Sequence, residues 1–535
     1  MLIPGMPNIK NIIILGLILL VALALRMYKL DKYDFWYDEA TCAFAADDGG
    51  IKNLPSFGKL LDRESAVKDI CYLKLYQRIF VYLWEKGFGN SESALRSSSV
   101  VFSLIAIILL YILAAGIFNV QTAHLASLLM AISPFAVTYA QELSPYSAVV
   151  CFALAALCSF LKILETERVK YYLIYAFSVT LGAYFHYMSL LIVFAFLLFF
   201  ILNLRNYKKL IKPLLLTHLA VLLLLFPGIL TMFQHLAFIL SNKVDGNMSE
   251  YPFWAKGISF SALLYTLKNF SIGYNTAFSS YAAKMAMLVY SGLFVTGAVL
   301  YRKKIQVKIL LYYLFVPVAG LFLISLGKFC YIDRYLFAVY PVFLLLSSAG
   351  LQRSGIKAGA VLTIVLLSLS LFSLKAHYNY SLPRDYTHHL GIVNKIDAKS
   401  MAGIISDGYK EGDVIVHTCR NTVFPLKFYI RKISTDEDLI REAKKGTVAL
   451  SVQSSDGKGL FFYNYDKWHP DPVPSKDFTA FKDLKIVSRV WVVLSNWHFK
   501  DSECEEYAVI KEIKSNYREQ GCHKLDGANV YLFSK

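Results

Sequence analysis

About eleven apolar runs, each roughly 16 to 22 residues long, follow one another between Asn11 and Leu374, and a chain carrying that many folds with a bilayer as its solvent. In hydrocarbon every backbone N–H and C=O must find its partner within the segment, so each run is read as a helix. The runs lie near Asn11 to Tyr28, Ser98 to Phe118, Ala123 to Tyr139, Ser144 to Ile163, Tyr171 to Phe185 and Met188 to Leu204. They continue near Pro213 to Met232, Lys284 to Leu300, Ile309 to Leu326, Tyr335 to Gly350 and Ala358 to Leu374. With 56% hydrophobic and 17% charged residues, the chain is far more apolar than a soluble protein, whose charged share is about a quarter.

The net charge of +17 invites a nucleic-acid reading, but its distribution argues otherwise. Arg168 and Lys170, Arg205, Lys208, Lys209 and Lys212, Arg302, Lys303, Lys304 and Lys308, and Arg353 and Lys357 occupy alternate connections, together with Lys10. Basic residues gathered on one side of a set of spans mark the cytosolic side. An odd number of spans then places the N-terminus in the cytosol and the first loop, residues 29–96, on the extracytoplasmic face of the cell membrane. Everything from about residue 376 is expected on that same face. A cleavable signal peptide is the other reading of the first run, and no convincing small-x-small cleavage site precedes Arg26, Lys29 and Lys32.

From about His377 the pattern becomes polar. Strand-like runs DVIVHT, TVALSV, VSRVWVVLSN and NVYLFSK alternate with the helical runs DEDLIREAKK and ECEEYAVIKEIKSNY, which predicts a small α/β domain over 376–535. It carries no Gly-rich phosphate loop, HExxH or CxxC, so it announces neither cofactor nor metal. The fold class expected is therefore an all-α multi-span membrane bundle over 1–375, with about eleven transmembrane helices, and a C-terminal extracytoplasmic α/β domain. Cys42, Cys71, Cys330, Cys419, Cys504 and Cys522 fall where disulfides persist, Cys504 with Cys522 being the favoured pair; Cys151 and Cys158, seven apart on one helix, read as small apolar packing residues.

The chemistry-bearing residues concentrate in the extracytoplasmic connections. The first offers Asp38 and Glu39, aromatic-rich segments from Asp69 to Lys86, and Arg96 at the entry to the second span. Later ones offer Glu142 and Tyr146 in YAQELSPYS, His186 and Tyr187 in YFHYMS, and Lys328, Asp333, Arg334 and Tyr335 in GKFCYIDRY. Adjacent carboxylates point in different directions on any regular backbone, so Asp38 and Glu39 are expected to do different jobs rather than share a proton. Taken alone, the pair could equally be an acidic helix start, His186 a packing histidine and Arg334 a snorkelling anchor.

Taken together, DE at Asp38 and Glu39, FGxSExALR from Phe88 to Arg96, SPFAVTYAQE from Ser133 to Glu142 with Tyr146 beyond it, FHY of the fifth span and DRYLFAVYP from Asp333 to Pro341 resemble a known family. It is the protein-mannosyltransferase-like and aminoarabinose-transferase-like branch of the GT-C glycosyltransferases. The resemblance implies inverting transfer of one sugar from a polyprenyl-phosphate donor to an acceptor hydroxyl on a lipid, glycan or protein, without nucleotide sugar or obligatory metal. It implies Asp38 as general base, with Glu39 beside it, and Arg334 on the donor phosphate. Tyr335, Glu142, Tyr146, His186, Tyr187, Arg96 and Lys328 are implied around the substrates. The chain departs from the pattern in the first loop, where DICYLKLY stands for a proline-containing HPPLY-like stretch, and after Glu142, where Ser144 and Pro145 stand near a usual arginine. Sugar and acceptor therefore do not carry over. The rival classes are a solute transporter or lipid-sugar flippase, disfavoured by span interiors nearly free of acidic and basic residues, and a membrane-anchored receptor, for which Asp38 would be dispensable.

Overall fold

The computed structural model describes residues 8–47, 76–241, 258–327, 331–383, 395–454, 457–464, 479–480, 487–495 and 505–535. The helices of the bundle are α1 (Ile9–Met27), α2 (Tyr37–Asp47), α3 (Tyr82–Phe88), α4 (Glu92–Ile117), α5 (Val120–Ile132), α6 (Pro134–Ala140), α7 (Tyr146–Thr166) and α8 (Val169–Phe185). They continue with α9 (Leu190–Leu202), α10 (Ile211–Ser241), α11 (Ser261–Ile272), α12 (Tyr281–Leu300), α13 (Ile305–Gly327), α14 (Tyr340–Arg353) and α15 (Ile356–Tyr378). Eight segments among the described residues are long and apolar enough to cross a membrane, nine if the bent pair α5 and α6 is counted as one span. All eleven apolar runs contain helix; α8 and α9, with 17 and 13 residues, fall short of the length that separates a span from a shorter buried helix.

Local sequence explains the helix starts. Asn8, Ser91 and Asn119 each accept a first-turn N–H at α1, α4 and α5. Pro134 opens α6 and Ser133 caps it, so the chain turns by 61° between α5 and α6. That break deprives carbonyls at the end of α5 of their usual partners, because Pro134 has no N–H to give. Arg26, fully buried on α1, supplies the missing donors. Its Nη1 donates to Ala131 O at 2.8 Å, its Nη2 to Met130 O at 3.2 Å and its Nε to Ser103 Oγ at 2.8 Å. Arg26→Leu strands these acceptors at about 1–3 kcal/mol for each unsatisfied group, and Arg26→Lys recovers only part of the loss. Thermal unfolding of the purified protein in detergent reads the order wild type, then Lys, then Leu; equal melting of wild type and Arg26→Leu would remove this account.

Helices α12 and α14 touch through glycine. A Cβ on Gly297 would collide with the Leu346 carbonyl, and one on Gly350 with the Leu293 carbonyl, so only glycine allows this approach. The basic connections share one end of the bundle: Lys304 Nζ donates to Ile117 O at 2.8 Å and Arg353 Nε to Tyr301 Oη at 3.2 Å. Asp38, Arg96, Tyr146 and Arg334 sit at the opposite helix ends.

The C-terminal segment contributes α16 (Ala398–Gly408), β1 (Val414–His417), α17 (Val423–Ile433), α18 (Glu437–Lys445), β2 (Thr447–Ser454), β3 (Gly457–Asn464), β4 (Thr479–Ala480), β5 (Arg489–Ser495), α19 (Glu505–Asn516), β6 (Arg518–Leu525) and β7 (Ala528–Ser534). These form a seven-stranded mixed sheet in the order β4-β3-β2-β1-β5-β7-β6, with β1 parallel to both β2 and β5. Strands β3, β4 and β6 and helices α16 and α17 are absent from the sequence expectation; β6 alternates too little apolar character to be read as a strand. Cys151 and Cys158 pack in the helical core as expected, whereas Cys71, Cys330 and Cys504 lie outside the described residues.

The sheet domain and the first loop share one hydrophobic core. Phe35, Tyr37 and Phe44 meet Phe428 and Phe424 of α17 at ring separations of 5.3, 5.7 and 5.9 Å. The Phe35 N–H donates to Tyr429 Oη at 2.9 Å, and Tyr429 Oη donates to Glu92 Oε1 at 2.9 Å. Lys399 adds ion pairs to Asp34 and Glu92 at 3.3 and 3.0 Å. The loop that carries the carboxylate pair is thereby clamped between the bundle and the sheet.

Candidate active site

Helix α2 begins one residue before Asp38, so Asp38 and Glu39 occupy its first turn, where acidic side chains complement unsatisfied N–H groups. Helical spacing of about 100° per residue sends them to opposite surroundings. Glu39 is wholly buried. Arg96 Nε donates to its Oε1 at 2.7 Å and Nη2 to its Oε2 at 2.8 Å, the two-pronged geometry of a guanidinium on a carboxylate. The Leu143 N–H donates to Oε1 at 2.9 Å, and Lys395 Nζ stands 3.8 Å from Oε2. Burial pushes the Glu39 carboxyl up, but Arg96, Lys395 and the Leu143 N–H outweigh it and hold it below the ordinary carboxylate range. Arg96 donates further to the carbonyls of Leu30 and Tyr33 at 2.8 Å each and of Asp34 at 3.3 Å. Glu39 and Arg96 thus form a closed clamp joining the first loop to α4 and to the turn before α7.

Asp38 has the opposite surroundings. Its side chain is 37% exposed, its Oδ2 accepts from Arg334 Nη1 at 2.8 Å, and its Oδ1 has no partner among the described residues. Arg334 is the second residue of the 3-10 turn Asp333–Val339 that leads into α14. Its guanidinium lies over the rings of Tyr146 and Tyr335, 5.6 Å from each, and its Nε is buried with no acceptor. His186 stands against Tyr146, Tyr187 and Tyr335 at 5.4, 5.1 and 4.8 Å, with Tyr187 stacked on it.

Asp333 fixes this turn from behind. It is buried, with one oxygen accepting from Thr266 Oγ1 and the other from Asn269 Nδ2, both at 2.5 Å. Lys268 orients Asn269 through a 2.9 Å bond to Oδ1, so Asn269 serves as a buried structural amide. The residues expected from the sequence at five separate places therefore converge: Asp38, Arg334, Tyr335, Tyr146, His186 and Tyr187 form one cluster, partly open at Asp38 and Tyr187, with Glu39 and Arg96 behind it. Lys328 lies outside the described residues.

Glu142 lines a cleft on the other side of the clamp with Lys395, Gln141 and His377. Burial and the nearby Glu39 charge push its carboxyl up to about 7. The folded form therefore keeps a proton that an exposed carboxyl releases near about pH 4.3. Neutral Glu142 supports the fold fully below that value, and the contribution is lost as pH rises through about 7. Glu142→Gln is expected to melt close to wild type at pH 5 and above it at pH 8.5; the same difference at both pH values would exclude the titration. Lys395, Gln141 and His377 escape sequence reading. His377 and Lys395 stand where the polar pattern begins, and only the chain path brings them against the first loop.

Residues 75–230 match the profile of the dolichyl-phosphate-mannose-protein mannosyltransferase family. ArnT from Cupriavidus metallidurans in the apo state superposes with a TM-score of 0.57 at 11% identity, covering 97% of this chain and 97% of that one. The same protein bound to undecaprenyl phosphate gives 0.56 at 11% identity, with 97% and 97% covered. An Archaeoglobus fulgidus oligosaccharyltransferase tethered to an acceptor peptide containing the NVT sequon gives 0.52 at 11% identity, covering 98% of this chain and 88% of that one. No curated protein sequence matches. The chain is a multi-pass helical membrane protein with the fold of ArnT and of the archaeal oligosaccharyltransferase. The match over residues 75–230 bears out the resemblance to the protein-mannosyltransferase-like branch.

Proposed function

We propose that the protein is an inverting glycosyltransferase that moves a single sugar from a polyprenyl-phosphate carrier to an acceptor hydroxyl at the extracytoplasmic face of the cell membrane. The acceptor is a cell-envelope lipid, glycan or protein, and the sheet domain from about residue 376 faces the same side. The observation that carries this reading is the Asp38–Arg334 pair, in which an exposed carboxylate keeps one oxygen open while the adjoining guanidinium keeps a buried N–H without an acceptor. ArnT, which shares the fold, has been captured with undecaprenyl phosphate, and this supports the choice of carrier.

In this reading Asp38 Oδ1 takes the acceptor proton as the hydroxyl oxygen attacks the anomeric carbon. The bond between that carbon and the phosphate oxygen breaks, the electron pair leaves with the lipid phosphate, and Arg334 stabilises the growing charge through Nε and Nη. Tyr146 and Tyr335 hold the guanidinium plane and exclude water around it. Glu39 stays charged inside the Arg96 clamp and positions α2.

Arg334→Ala is expected to raise the KM for a polyprenyl-phosphate sugar by about 10- to 100-fold, matching the net 1.5–3 kcal/mol of a hydrogen bond to a charged group. Arg334→Lys keeps charge but loses the fork and falls between. Transfer kinetics in membranes with varied lipid donor check this; an unchanged donor KM in Arg334→Ala would leave Arg334 as a support for Asp38 alone.

A further inference from the structure

The cleft behind the clamp is built from parts that the proposed transfer does not use. The first loop and the end of α15 supply aromatic faces from Tyr33, Trp36, Tyr378 and Tyr380, with the Tyr33 and Tyr380 rings 5.0 Å apart. Lys395 holds its ammonium over both rings, at 5.6 and 5.9 Å. Its contact with Glu39 is 3.8 Å, and it makes no hydrogen bond among the described residues. Glu142 faces the same cleft and likewise has no hydrogen bond there. An ammonium and a carboxyl held apart, neither satisfied, in an aromatic-walled space, are an incomplete set of polar contacts.

Two backbone features point the same way. Lys29 and Tyr380 line this cleft and adopt φ of +57° and +53°, a left-handed conformation that side-chain-bearing residues rarely accept. Strain of this kind costs about 1–3 kcal/mol per residue and gathers at binding sites. Here it falls twice on one cleft. The charges within reach of a ligand are also unbalanced: Arg96 is neutralised by Glu39, which leaves Lys29 and Lys395 against Glu142. Burial pushes Glu142 up to about 7 and Lys395 down to about 8, so near pH 7 the cleft carries the Lys29 charge and most of the Lys395 charge against a partly protonated Glu142.

We propose that this cleft is a glycosyl subsite for a sugar ring bearing an anionic substituent, a carboxylate or a phosphate. Lys395 and Lys29 take the anion, Glu142 exchanges a hydrogen bond with a ring hydroxyl, and the aromatic faces stack on the ring. The inference deepens the transferase reading by giving one of its two sugars a chemical class. Such a ring can belong to the lipid-linked donor or to the acceptor.

The full-length protein in detergent, probed with D-glucuronate and with D-glucose by saturation-transfer NMR, tests the site without requiring turnover. Glucuronate is expected to give the stronger signal, at least fivefold reduced in Lys395→Met and in Tyr380→Ala, while Asp38→Asn binds like wild type. Melting temperatures identify any variant that has lost its fold, and Glu142→Gln, isosteric with wild type, gives an independent reading of the hydroxyl contact. Absent glucuronate signal in wild type, equal signals for the two sugars, or insensitivity to both Lys395→Met and Tyr380→Ala overturns the proposal. If binding behaves as expected while no transfer is found, the subsite stands and the transferase reading fails. Where transfer is measurable, rescue of Lys395→Met by excess lipid donor assigns the ring to the donor, and rescue by excess acceptor assigns it to the acceptor.

Discussion

Asp38→Asn is expected to lower glycosyl transfer by about 10²- to 10⁴-fold, the range that a positioned general base contributes, while the protein inserts, folds and binds donor as before. The amide keeps the size of the carboxylate and can still face Arg334, but it cannot take a proton. Because Asp38 is 37% exposed and its pair with Arg334 lies at the cluster's open side, the fold loses little by the change. Single-turnover transfer from a polyprenyl-phosphate sugar in membranes, beside a melting curve of the purified variant, checks both halves. Near-normal turnover in a folded Asp38→Asn protein would sink the base assignment and, with it, the reason for preferring Asp38 over its neighbour.

Arg96→Met is expected to act on the fold far more than on the chemistry. Removing the guanidinium leaves the Glu39 carboxylate buried and opposed only by Lys395 at 3.8 Å, and breaking a buried pair on one side costs about 3–5 kcal/mol. The carbonyls of Leu30, Tyr33 and Asp34 lose their donors as well. The double change Glu39→Gln with Arg96→Met should therefore recover part of the loss and no more, since it cures the orphaned charge and leaves the orphaned carbonyls. Denaturant or thermal unfolding in detergent measures the three proteins. A loss below about 1 kcal/mol for Arg96→Met would mean that water reaches the pair and that it behaves as a surface ion pair.

The two carboxylates also show how far local sequence reaches. That adjacent acids would face different surroundings follows from helix geometry alone, and the expected division of labour follows with it. Which of the two is open and which is enclosed depends on residues 57 and 296 positions away, Arg96 for Glu39 and Arg334 for Asp38. Glu39 is expected beside the base and Arg96 near substrate; in the structure the two pair with each other, and Arg96 also lines the cleft with Glu142 and Lys395. Both carry a formal charge and both sit in loop-like sequence, so nothing in composition distinguishes a clamp from a ligand. His186, a packing histidine or a site residue on the sequence, joins the site through Tyr335, a contact across two spans. Lys395 belongs to a stretch without motif, and its place in the cleft comes from the return of the chain after α15.

What the sequence alone determined is the solvent and the sorting of the helix ends. Long apolar runs can satisfy their backbone in lipid only as helices, and the basic connections sort them into two ends, whereas the break at Pro134 inside the run Ala123 to Tyr139 came from the structure. The strands β1, β2, β5 and β7 were equally legible, because a buried strand writes its own apolar pattern. Only the tertiary structure decided which polar groups are satisfied and which are left open. Hydrogen-bond saturation is a property of three-dimensional neighbours, so the enclosed Glu39, the open oxygen of Asp38, the buried Nε of Arg334 and the unpaired edge of the Lys395 cleft become visible only once the bundle and the sheet domain close around the first loop.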